Sequence, residues 1–224
     1  MKGHSERVPG KNIRPLCDRP LCHWVLEALA ASPYVSEILV DTDSVEIADL
    51  VQARKKVRVI MRPEHLLGDM VGINPLIENG IRHCAGEWFL QTHSTNPLLT
   101  TETINRAIEA FFFAQNVNDT LFTVTPYQVR FYRSDGSALN HEPGNMLRTQ
   151  DLPPIFEENS NLYLFSRASF TSSGHRIGKK PLLFPMNKLE AVDIDNEEDF
   201  ILAELLMARR LNPRGNSWDL PSSR

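Results

Sequence analysis

Cysteine is scarce in this 224-residue chain: three residues, Cys17, Cys22 and Cys84, with no Cys-x-x-Cys pair among them. So few and so scattered, they argue against both a disulfide framework and a structural zinc site. Cys17 and Cys22 flank an Asp18-Arg19-Pro20 turn that would let them meet, but the spacing reads better as thiols in a reducing cytosol. A basic excess is also lacking. The net charge is −4 with no long cationic run, which disfavours nucleic acid as a partner. No apolar run approaches membrane-spanning length and no signal-peptide pattern is present, so no membrane partner and a cytoplasmic location are expected. There is no internal repeat and no low-complexity tract. What remains, 42% hydrophobic and 23% charged residues, suits one folded domain with a sizeable core.

Apolar periodicity alternates along the chain. Pro20–Ser32 reads as a helix, Glu37–Val40 as a strand, and a helix capped by Ser44 is expected to run to about Arg54. Val57–Met61 reads as a strand, Met70–His83 as a helix, and Glu87–Thr92 as a strand. Thr100 or Thr101 caps a helix through Phe113, and Thr120–Thr125 is a further strand. This alternation predicts right-handed crossovers and a mainly parallel sheet covered on both faces, with ligands beyond the carboxyl ends of its strands. Residues 127–160 are polar and irregular, with turns expected at Ser134-Asp135-Gly136 and Glu142-Pro143-Gly144. A connection of that length suggests a functional or partner-binding arm. Regular structure is expected again at Asn161–Phe165 and near Lys188–Asp193, then as a helix over about Asn196–Leu211. A polar tail spans 212–224.

The opening stretch reads Gly-x-Ser-x-Arg-x-Pro-x-Lys-Asn from Gly3 to Asn12. Glycine lets backbone approach a ligand, the Ser5 hydroxyl and free amides donate hydrogen bonds, and Arg7 and Lys11 neutralise charge, as a triphosphate requires. A solvated terminal tail is the competing reading. In Val192-Asp193-Ile194-Asp195, residues two apart in extended chain share a side, so Asp193 and Asp195 form a carboxylate pair suited to Mg²⁺. The competing role is an acidic helix start, which accounts for Glu197 and Glu198. Gln91-Thr92-His93-Ser94-Thr95-Asn96-Pro97-Leu98 opens a buried strand into a polar loop able to read a base or a polyol. His93 has no metal-ligand spacing. Arg62, directly after a strand, suits a phosphate or nucleotide oxygen, and Arg148 a carboxylate.

Taken in order, these motifs resemble the acylneuraminate cytidylyltransferases. The likeness comprises the Gly3 to Asn12 loop, Arg62-Pro63 with Asp69, the Gln91–Leu98 segment, Arg148–Pro153 with Asn159–Phe165, and the closing Asp193-Ile194-Asp195. It spans residues 1–211, nearly the whole chain. The resemblance implies a Rossmann-like, three-layer α/β nucleotidyltransferase fold with a mainly parallel sheet and a protruding dimerisation arm at 127–160. It implies a homodimer that transfers CMP from CTP to the anomeric hydroxyl of a sialic-acid-like 2-keto-3-deoxy sugar acid, releasing pyrophosphate, with Mg²⁺ as cofactor.

Carried over residue by residue, Lys2, Gly3, Ser5, Arg7, Lys11, Asn12 and Arg62 would hold CTP. Gln91, Ser94, Arg148 and Asn159 would touch the sugar, and Asp193 and Asp195 the metal. Arg7, Lys11 and Asp195 would serve catalysis. Members of that family have a hydrophobic strand before the loop, and the expectation is a sheet without it. Three departures stand out. Glu6 occupies the place of a family lysine, with Arg7 next to it. The Gln91–Pro97 stretch is two residues longer than usual. Arg148-Thr149 replaces a pair of arginines. The alternatives are a 3-deoxy-manno-octulosonate cytidylyltransferase, which typically shows Gln-Gly-Asp-Glu-Pro where this chain has Gln91-Thr92-His93-Ser94, and a nucleotide-binding protein without turnover.

Overall fold

The computed structural model describes residues 1–68, 70–145 and 147–213. A short antiparallel hairpin, β1 (Pro15–Leu16) and β2 (Arg19–Pro20), leads into α1 (Leu21–Ala31). The three cysteines are free thiols. Next, β3 (Ile38–Thr42) ends at Ser44, whose hydroxyl accepts the Ile47 amide at 3.3 Å and so starts α2 (Val45–Val51). The chain then turns back through Lys56, at φ 63°, into β4 (Val57–Met61), which stops α2 short of the expected Arg54. Helix α3 (Ile73–Arg82) starts three residues later than the periodicity suggests. Pro75 is the reason. Within the first turn its missing N–H costs nothing, whereas a helix begun at Met70 would need that N–H to bond the Val71 carbonyl.

The chain continues through β5 (Trp88–Thr92), α4 (Thr101–Ala114), β6 (Thr120–Tyr127), β7 (Ile155–Ser166), α5 (Arg167–Ser173), β8 (Pro181–Pro185) and α6 (Glu197–Leu211). The Thr100 hydroxyl caps α4, and Asn196 with Asp199 forms a reciprocal capping box on α6. Three departures from the sequence reading stand out. Residues 155–160, expected in the irregular arm, are the first half of the 12-residue β7; Ile155–Glu158 pair with Val124–Tyr127, and the stretch lacks an apolar alternation because 156–158 are exposed. β8 is a Pro-bounded edge strand, where proline sacrifices little of the ladder. Around 188–193, where regular structure was expected, the Glu190 and Ala191 amides instead turn onto the Asn187 carbonyl.

The strands form two groups. β3 and β4 are parallel, in register from Ile38↔Val57 to Thr42↔Met61. The other sheet runs β5-β7-β6-β8, and only β7 opposes its neighbours. Among the described residues the two groups are not hydrogen-bonded to each other; the Met1 amino group donates to the Asp41 carbonyl of β3. One core nevertheless joins them. Ile38 and Val40 pack in the same buried cluster as Leu121, Leu162 and Leu164, under Val25 and Leu29 of α1 and Ile104 and Phe111 of α4. Along β7 the alternate residues Tyr163 and Phe165 face the other way, into a cluster with Ile77 and Ile81 of α3 and Phe170 of α5. Helices therefore cover both faces, giving three layers. No described helix is long and apolar enough to cross a membrane.

Candidate functional site

The loop from Met1 to Asn12 has no ladder of its own and is held by side chains. The Gly3 amide donates to Asp43 Oδ1 at 2.6 Å, and a Cβ there would lie 2.7 Å from Ser44 Cβ, so glycine is required by close approach. Asn12 is the central clamp: its Nδ2 donates to the Lys2 carbonyl (2.8 Å), and its Oδ1 accepts the Ser94 hydroxyl (2.6 Å). The Ser5 hydroxyl accepts the Val8 amide, and Gly10, at φ 63°, presents its carbonyl to Ile13 and Arg14. Val8 is fully buried against Leu98, Ile194, Phe200 and Met207, which pins the loop to α6. Arg62 lies beneath the loop. Its side chain is 3% exposed, its Nε donates to Asp41 Oδ1 at 2.7 Å, and its Nη2 reaches the Met1 carbonyl. It braces the loop's foot and does not line its mouth.

The acidic segment meets the loop from the other side. Ile194 is buried, and its amide donates to the Thr95 carbonyl at 2.9 Å. Asp193 and Asp195 flank this anchor. Asp195 is half-exposed and pairs with Arg7 at 2.7 Å, and Lys11 Nζ donates to the Ile194 carbonyl at 2.5 Å. Burial lowers the Lys11 pKa, opposed by the nearby Asp195 and Asp193. Burial raises that of Asp193, whose Oδ1 is buried with no hydrogen-bond partner. An orphaned carboxylate oxygen beside a second carboxylate fits a hard divalent cation. Among the described residues no group of three or more His, Cys, Asp or Glu is placed to hold a metal by itself. Such an ion would need oxygens from a bound ligand.

Beyond Ser94 the wall is made by Gln91, His93 and a residue the sequence did not single out, Arg176. Arg176 Nη1 donates to Gln91 Oε1 at 2.5 Å and lies 3.3 Å from His93 Nε2. Its guanidinium stacks 3.5 Å above the Tyr163 ring. His93 is held neutral: burial first, then Arg176, pushes its pKa down to about 4.

The fold thus brings together Lys2, Gly3, Ser5, Arg7, Lys11, Asn12, Ser94, Asp193 and Asp195, with Arg62 below them and Gln91 beside them. Arg148 and Asn159 make none of the contacts that join these residues. Arg148 is 73% exposed, with its fork closed on Asp151 at 2.7 and 3.2 Å, so a sugar carboxylate would have to displace that partner. Asn159 is buried; it donates to the Thr125 hydroxyl and accepts the Asn161 amide, stabilising the β6–β7 irregularity. Asp69 lies outside the described residues. A cavity of about 360 Å³ lined by Trp88, Phe111 and Ser169 sits at the opposite end of β5 from Gln91.

With this geometry in view, likeness to known proteins is informative. The cytidylyltransferase family model matches residues 1–207. The post-translational flagellin modification protein B of Campylobacter coli is 27% identical over 220 residues, covering 93% of each chain. The CMP-N,N'-diacetyllegionaminic acid synthase of Legionella pneumophila is 29% identical over 222 residues, covering 91% of each. Among solved structures, a CMP:2-keto-3-deoxy-manno-octonic acid synthetase complexed with CTP superposes with a TM-score of 0.68 at 14% identity, covering 94% of this chain and 96% of that one, a likeness of fold.

Proposed function

This chain belongs to the cytidylyltransferase family and is a nucleotidyltransferase, and we propose that it transfers CMP from CTP to the anomeric hydroxyl of a nonulosonate, an acidic nine-carbon 2-keto-3-deoxy sugar. The observation that carries this reading is the meeting of the loop with the acidic segment: Arg7 on Asp195, Lys11 on the Ile194 carbonyl, and the unpartnered Asp193 Oδ1 between loop and wall. The name of the Legionella relative supports a nonulosonate as the acceptor.

In the reaction the sugar hydroxyl attacks the α-phosphorus and pyrophosphate leaves, so the protein's task is positioning and charge neutralisation. Gly3 and Asn12 fix the loop backbone against the nucleotide. Lys2, Arg7 and Lys11 offset the triphosphate charge, with Arg7 standing beside Glu6 as the cation of that turn. Gln91 and Ser94 orient the acceptor. Asp193 and Asp195 would hold Mg²⁺, which, when bound, supplies Lewis-acid stabilisation of phosphate oxygens.

Calorimetric titration with CTP, coupled to pyrophosphate release with a panel of sugar acids, tests the reading. CTP binding and release with a nonulosonate are expected. Asp195→Asn should keep the fold and lose release by at least ~100-fold. Binding of CTP with no release from any sugar acid points to a protein without turnover, and a folded sample that ignores CTP overturns the assignment altogether.

The segment between β6 and β7 supports self-association as a dimer. Val129, Tyr132, Leu139 and Leu147 are 40–57% exposed there, an apolar content that a solvated loop does not require. Sedimentation at micromolar concentration should give twice the monomer mass, and a monomer at all concentrations would remove this part of the proposal.

A further inference from the structure

Arg176 lies in the basic stretch Gly174–Lys180, where solvation is the default for a cation, yet only 8% of it is exposed while Lys179 and Lys180 are in water. A buried guanidinium is costly unless its charge and its five N–H donors are matched. Here they are not. Gln91 and neutral His93 accept at Nη1, and Tyr163 offers its ring face. One carboxylate, Glu158, forms a long ion pair with Nη2 at 3.6 Å and shares its Oε1 with the Tyr163 hydroxyl. Nε is buried with no partner at all. Gln91 is itself fixed, since its Nε2 donates to the Thr92 carbonyl at 3.0 Å. The result is a rigid, preorganised cation with an unused donor, held by His93 next to Ser94, whose contact with Asn12 joins the wall to the loop.

We propose that Arg176, oriented by Gln91 and Tyr163, receives the carboxylate of the acceptor sugar and thereby makes the enzyme selective for an acid. The inference rests on the cytidylyltransferase reading above. Its chemical logic is local. In a 2-keto-3-deoxy sugar acid, the carboxylate and the attacking hydroxyl are both attached to the anomeric carbon. A group that grips the carboxylate therefore aims the nucleophile, and must stand where the sugar wall meets the nucleotide loop. Arg176 stands there, and its planar fork matches a carboxylate.

The test compares kcat/KM for a nonulosonate and for its C1 amide, in the wild type, Arg176→Met and Arg176→Lys, with CTP affinity measured alongside. The wild type should favour the acid by roughly 100-fold, the size expected of charge-assisted hydrogen bonds. Arg176→Met should lose that preference, chiefly through a higher KM for the acid, while the amide and CTP binding change little. Arg176→Lys should recover part of it. Should the Met variant fail to fold, the acid-to-amide ratio of the Lys variant decides. A folded variant in which acid and amide fall equally, or in which the preference survives, overturns the assignment of Arg176 alone. A wild type that uses no sugar acid overturns both this and the function on which it rests.

Discussion

The floor of the Met1–Asn12 loop and the wall beside Gln91 each bury an arginine to the same 8% exposure, but in different company. Arg62 faces Asp41 at 2.7 Å, Asp43 at 3.5 Å and the Met1 carbonyl. Arg176 faces a neutral amide, a neutral imidazole and an aromatic ring, with its one carboxylate at 3.6 Å. Equal burial therefore means different things. The first cation is fully committed to holding β3, β4 and the loop together, and the second retains capacity for an anion. Burial locates a group, whereas its unsatisfied valence indicates what it is for.

The comparison can be broken by stability first. Arg62→Met strips two largely buried carboxylates of their cation, leaving Asp41 with Asn79 and Asp43 with the Gly3 amide. A loss of about 3–5 kcal/mol in urea unfolding is expected. Arg176→Met leaves only the 44%-exposed Glu158 behind and should cost clearly less. Equal losses would mean that both arginines are scaffold.

A finer test uses His93. Its folded pKa, about 4, lies below the ordinary 6.5, so between those values the unfolded chain binds a proton that the folded one refuses. Stability should thus fall as pH drops from about 6.5 towards 4 and be insensitive to this group above 6.5. His93→Gln should flatten that slope. Arg176→Met should raise the His93 pKa, read as an NMR titration of the ring, because it removes one of the two leading causes of the depression. An unchanged titration would mean that Arg176 and His93 are not coupled as their 3.3 Å contact implies.

Much of the fold was legible because its signals are local. Val57–Met61 is a strand between turn residues, Thr100 caps α4, and Asn196 and Asp199 start α6. The loop and the aspartate pair could be singled out for the same reason, by residue type and spacing, and the structure shows that they meet. Less legible were segments whose surroundings override composition. The first half of β7 looks like loop because it is exposed, and β8 is disguised by its prolines. Arg148 and Arg62 are both arginines that the sequence offers as anion-binding candidates. Only the fold shows that one is tied to Asp151 on the surface and the other is buried under the loop.

By itself, then, the chain's sequence determined where helices cap and break and which hydroxyls, cations and carboxylates the loop and the acidic segment carry, since these depend on residue type and on bonding within a few neighbours. Tertiary structure alone decided which cation of Gly174–Lys180 is taken out of water and set against Gln91, His93 and Tyr163. The reason is physical. Burial and unmet hydrogen-bond capacity are properties of what packs around a side chain, and here the packing partners come from β5 and β7, whose residues Gln91 and Tyr163 precede Arg176 by 85 and 13 positions.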